Sequence, residues 1–123
     1  MMAETTTQIP VVWTTTHKIA NRLLGETGHP LLERMLSLAQ HIAAERNWPL
    51  KSIKVTHYQD PEVVWEYLLL VLVFDGSQVE SEYLWDEYLE VMEEAIEDVY
   101  QGLNASERVI FANMIDYEFY SNP

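Results

Sequence analysis

From Tyr67 to Phe74 the chain reads Tyr-Leu-Leu-Leu-Val-Leu-Val-Phe, eight apolar residues without a polar interruption. Successive side chains of an extended strand point to opposite faces, so a strand of this composition is apolar on both. It belongs inside a sheet, with a hydrogen-bonded neighbour on either edge. The run extends back to Val63, and Glu66 is the one charge within it. A bilayer span needs roughly 20 such residues, so a membrane is not the expected environment.

The flanking sequence supplies the neighbours. Lys51–Tyr58 alternates, with Ile53, Val55 and His57 on one side and Lys54, Thr56 and Tyr58 on the other. Asp60-Pro61 is a turn signal, since Asp favours the first turn position and Pro sets φ at the second. Together these predict an antiparallel hairpin, 51–58 with 63–74. A helix over 30–47 is read from Leu31, Met35, Leu38, Ala39 and Ile42, opening at Pro30 and stopped by Pro49. Ser77-Gln78-Val79-Glu80 matches a capping box and opens a helix over 78–101, with Gly102 as its stop.

The two ends are less regular. Val11–Trp13 suits a short edge strand, while Thr16 suits the cap of a short helix over Lys18–Leu24 that Gly25 would end; the helix is preferred. Asn104 caps a short helix, and Ile115, Tyr117 and Phe119 alternate with Asp116 and Glu118 as a final strand near 114–120. The expected fold is α+β, a two-layer sandwich of a small antiparallel or mixed sheet packed by helices. At 123 residues the chain suits one domain over 9–123, with 1–8 as a disordered tail.

Charge narrows the partners. Seven Lys and Arg stand against 20 Asp and Glu, a formal charge of −13. Phosphate backbones and anionic membranes repel such a protein. Residues 17–47 can be drawn as a helix-turn-helix, but Lys18, Arg22, Arg34 and Arg46 do not make a basic recognition stripe. Nucleic acid is therefore not an expected partner, and a basic protein is. The absence of cysteine and of a basic-then-apolar start points to the cytoplasm.

The acids are concentrated. No Lys or Arg occurs between Val55 and Glu107, and the 78–101 helix carries Glu82, Asp86, Glu90, Glu93, Glu94 and Glu97 among its acids. Asp86–Glu90, Glu90–Glu94, Glu93–Glu97 and Glu94–Asp98 are like-charged at the i,i+4 spacing. An opposite-charge pair there contributes roughly 0.2–0.5 kcal/mol and a like pair costs a similar amount. The plain reading is a solvated face of an acidic protein. The functional one is a surface that steers a basic partner, with Tyr83, Trp85, Tyr117 and Tyr120 beside it, Trp65 and Trp85 being first of all core residues.

Catalytic motifs are sparse. There is no Gly-x-Ser-x-Gly elbow, phosphate-cradling glycine loop or His-Glu-x-x-His, and no cofactor is implied. Glu26-Thr27-Gly28-His29 is a single Glu-x-x-His, in an expected turn, with no second copy to complete a metal site. His57, Tyr58 and Glu66 are candidates for a pocket, although Glu66 is equally served by an edge position or by Lys54 across the hairpin. The leading expectation is thus a non-enzymatic interaction module, such as an antitoxin, an immunity-type inhibitor or a small complex subunit. The alternative is a small enzyme or ligand-binding domain using His57, Glu66 and Tyr58. Homodimerisation is a third option, opposed wherever it would bring two acidic helices together.

Overall fold

The computed structural model describes residues 9–62, 65–77 and 82–122, with 82–84 and 122 described in backbone only. The elements are β1 (Val11–Trp13), α1 (His17–Glu45), β2 (Leu50–Asp60), β3 (Trp65–Asp75), α2 (Glu82–Gln101), α3 (Ala105–Met114) and β4 (Ile115–Asn122). The expected tail, 1–8, lies outside the described residues, as does most of the Ser77–Glu80 capping box. No helix among the described residues is long and apolar enough to cross a membrane.

The strands form one mixed sheet in the order β1-β2-β3-β4. β2 and β3 are the predicted hairpin, antiparallel, with Ile53 opposite Leu72 and Val55 opposite Leu70. β1 joins β2 in parallel and β4 joins β3 in parallel. The apolar run therefore has a neighbour on each edge, as its composition requires. Leu68, Leu70, Leu72 and Phe74 are buried with Ile53, Val55 and the inward sides of the helices in one core. Phe74 anchors it: Tyr88 stacks at 5.2 Å, while Trp85 and Phe119 meet it edge-on at 5.1 Å and 5.3 Å.

All three helices cover that one face, which gives the expected two layers. Both β–α–β connections lie over the same face, yet they follow strands of opposite direction. They are consequently of opposite hand, and one takes the left-handed course found in roughly 2% of such connections.

Both readings of residues 11–16 hold. Val11–Trp13 pair with Ile53–Val55 as an edge strand, and Thr16 Oγ1 accepts the Ile19 amide at 3.2 Å as the cap of α1. Gly25 breaks α1 in two with φ 65° and ψ −166°, a backbone region that is nearly glycine's alone. The second segment begins at once, so it starts a turn earlier than Pro30, and Glu26–His29 lies in helix rather than in a turn. Pro30 therefore lies inside the segment rather than opening it, and leaves the Glu26 carbonyl without its i,i−4 donor. The helix ends as a Schellman motif: Trp48 N–H donates to Ala43 O at 2.9 Å and Asn47 N–H to Ala44 O at 3.4 Å, with Asn47 at φ 56°. At α3, Asn104 and Glu107 form a reciprocal capping box.

Gly28 marks where α1 meets α3. A Cβ there would stand 2.6 Å from Leu24 Cβ and 2.9 Å from Ile110 Cγ2. Gly25→Ala and Gly28→Ala are each expected to cost about 1–3 kcal/mol in urea unfolding. Helix propensity alone would make Gly28→Ala stabilising by about 1 kcal/mol. A rise in its midpoint would show that the helices do not approach this closely.

Candidate functional site

The candidate site is the outer arc of α2. Tyr88, Met92 and Val99 are buried against the sheet, and Trp85, Val91, Ala95 and Ile96 pack half-buried beside them. The 3.6-residue period then leaves the opposite arc to Asp86, Glu87, Glu90, Glu93, Glu94, Glu97 and Asp98, every one of them exposed. Glu82 and Tyr83 occupy the first turn of α2, with side chains outside those described. Among the described residues no ion pair involves this helix; Glu97 Oε1 accepts a hydrogen bond from Gln101 Nε2 at 2.6 Å.

The acidic field reaches nearby phenols. Burial pushes the Tyr117 pKa up, and Glu93 and Asp116 raise it further. Tyr88 is raised by burial and then by Glu87. Both are disfavoured as phenolates by lost hydration and by adjacent negative charge.

The C-terminal end of α2 is held by a cation from another element. No basic residue lies in its last turn, where the exposed carbonyls carry a partial negative charge. Arg108 of α3 supplies it: Nε donates to Tyr100 O and Nη2 to Gln101 O, each at 3.1 Å. Its guanidinium also sits over the Tyr100 ring, 5.0 Å from the centroid. Sequence inspection had a signal for this, because Arg108 is the first cation after the long stretch without one.

Two shallow grooves border the arc. One, of about 270 Å³, lies between α1, α2, α3 and β4 and is lined by Met35, Ile96, Tyr100, Phe111 and Ile115 among others. The second, of about 210 Å³, places Arg46 of the α1 end beside Glu94 and Asp98.

Among the described residues, the aromatic patch expected beside the acids does not assemble. Trp85 and Tyr117 turn into the core layer. Tyr120, opposite Val73, lies on the far face of the sheet. Trp65 is not a core residue: it is exposed, with its indole N–H donating to Asn113 O at 3.1 Å.

The pocket candidates are also divided. His57 and Glu66 share the helix-covered face, with His57 Nε2 3.5 Å from Glu66 Oε2, near enough for ion pairing but not aligned as a hydrogen bond. Arg22 of α1 holds the same carboxylate oxygen at 3.0 Å. That replaces the expected partner Lys54, which lies opposite Val71, while Glu66 lies opposite Gln59. Tyr58 points to the other face and packs on Tyr67, ring centroids 4.9 Å apart. His29 pairs with Glu33 at 3.4 Å and His41 with Glu45 at 3.0 Å. Among the described residues no three His, Asp or Glu side chains gather as a metal would require.

No family model matches the chain, and no curated protein or solved structure is significantly similar to it.

Arg108→Ala is expected to cost about 1–2 kcal/mol in urea unfolding, since it strips the last turn of α2 of two charge-assisted hydrogen bonds. Arg108→Lys recovers part of this, because an ammonium cannot fork to both carbonyls. Unchanged stability in Arg108→Ala would mean that α2 ends without help from α3.

Proposed function

We propose that the protein is a non-enzymatic interaction module, acting in the cytoplasm, whose acidic α2 face docks a basic protein. The observation that carries this reading is the unrelieved arc itself. Seven exposed carboxylates occupy the outside of one helix with no Lys or Arg among them. Stability alone favours mixed signs, because each like pair at i,i+4 forgoes roughly 0.2–0.5 kcal/mol that a Glu–Lys pair would contribute. Four such pairs are kept here.

A basic partner converts that cost into affinity and association rate. The arc is well suited to docking because its backbone is rigid: Tyr88, Met92 and Val99 hold one side in the core, and Arg108 secures the end. Antitoxins, immunity-type inhibitors and small complex subunits are proteins of this working type. Among the described residues, the rival catalytic groups are split between the two faces of the sheet.

The test is affinity capture from the native cytoplasm with wild type and with a neutralised triple variant, Asp86→Asn, Glu90→Gln and Glu94→Gln. At about 0.1 M salt the Debye length is ~10 Å, and at about 1 M it is ~3 Å. A stoichiometric basic protein should be retained by wild type at the lower salt, released at the higher, and missed by the variant. A partner held equally by the variant, or indifferent to salt, would contradict the reading.

A further inference from the structure

The other face of the sheet carries most of the large apolar residues exposed among those described. Six large hydrophobic residues are markedly exposed among those described, and four of them lie on this face: Val12 at 44%, Tyr58 at 41%, Trp65 at 46% and Tyr120 at 52%. Only Leu89 and Val109 lie on the helices. Tyr67 joins Tyr58 to Trp65, with ring centroids 4.9 Å from each. Leu69 and Val73 sit low between the rows, at 9% and 4% exposed, yet neither belongs to the core cluster under the helices. Uncovered apolar stripes of this kind mark interaction sites.

The polar residues on this face specify what covers it. Register places Lys54 opposite Val71 and Val71 opposite Glu118, one row of cation, apolar centre and anion. The adjoining rows read Thr56–Leu69–Asp116 and Ser52–Val73–Tyr120. Among the described residues no ion pair engages Lys54 or Glu118. Let a second copy lie face to face with β3 over β3, related by a two-fold axis parallel to the strands. β2 of each copy then lies over β4 of the other. The central row meets its own reverse: Val71 packs on Val71, and Lys54 faces Glu118 twice.

We propose that this face docks a second copy of the chain, giving a symmetric dimer by aligned sheet-on-sheet packing. Such packing is the usual way for a half-covered sheet to bury its second face, with the sheets roughly 10 Å apart. β1 opposes no strand in this arrangement, so the overlap is carried by β2, β3 and β4, roughly 400 Å² per copy from strand lengths and spacings before side-chain relief is counted. An overlap of this size suits a weak, reversible dimer rather than a permanent one. Two-fold symmetry requires a self-complementary patch, which the Lys54–Val71–Glu118 row supplies. The arrangement also answers the repulsion between acidic helices. Both α2 helices lie on the outside, separated by two sheets about 10 Å apart and the helix layers beyond, more than the ~8 Å Debye length at physiological salt. The sheet face and the acidic arc are on opposite sides of the molecule, so the two readings stand or fall separately.

The test is the molar mass of the full chain by sedimentation equilibrium across the micromolar range. It compares wild type, Lys54→Glu, Glu118→Lys, a one-to-one mixture of these two variants, and Val71→Lys, with circular dichroism confirming that each is folded. Wild type should dimerise reversibly. Each single charge reversal should weaken the dimer at least about tenfold, because the row occurs twice per dimer. The mixture should restore dimers. In a mixed pair the two reversed positions face each other with opposite charge, and the native Lys54 of one copy faces the native Glu118 of the other. Val71→Lys should be monomeric. A wild type that stays monomeric at every concentration would overturn the proposal. So would a dimer indifferent to these substitutions, or reversals that fail to recover when mixed.

Discussion

The backbone of β3 has to be hydrogen-bonded along both edges and its side chains screened on both faces, and the rest of the molecule follows from that demand. β2 satisfies one edge through a hairpin, the shortest connection a chain can make. β4 satisfies the other only after two helices have returned the chain to the same end, which is why it runs parallel. The helices crossing between strands bury Leu68, Leu70, Leu72 and Phe74 on the way. Trp48, Trp85, Tyr88 and Phe119 converge on Phe74 because it stands at the end of β3 where α2 and β4 both pass.

What remains is a molecule with two dissimilar sides. The helical side offers a carboxylate arc that makes no ion pair among the described residues, with Arg46 of the α1 end bordering it. The sheet side offers a flat surface of aromatic and branched residues edged by Lys54, Asp116 and Glu118. Even there the acid is felt: burial raises the Tyr67 pKa first, and Asp116 adds to it. Each side forgoes something that an isolated globule would keep, mixed charges on one and polar residues on the other. The two proposed interfaces, of different chemistry, would account for both.

The central strand, the hairpin and the helices are legible in the sequence because each depends on local periodicity or on a cap a few residues away. Asn104 with Glu107 and the stop at Gly102 are of that kind. Features resting on distant pairing are harder to read. β1 is three residues long and exists because Ile53–Val55, about 42 residues later, offers an edge; its sequence also reads as the lead into a capped helix, and both are true. Glu66 takes Arg22 from α1 rather than Lys54, because strand register, not nearness in the hairpin, decides which side chains meet. Trp65 reads as a core residue because a strand apolar at every position does not reveal which parity faces inward. The outer arc of α2 is legible residue by residue, since helix period alone separates Glu90 and Glu94 from Met92. That Tyr120 and Tyr58 belong to the opposite face needs the sheet.

The claim beneath this account is that the repulsion along α2 is unrelieved within the molecule. The measurement that meets it most directly is unfolding free energy, from urea denaturation, as sodium chloride is raised from about 0.01 M to about 1 M and the Debye length falls from ~30 Å to ~3 Å. The account predicts that wild type gains stability, steeply at first. Glu90→Lys, which opposes Asp86 and Glu94 with a cation, should start more stable and gain less. A flat response in wild type, or an equal gain in the variant, would mean that the acidic face carries no unrelieved repulsion and was never held in reserve for a partner.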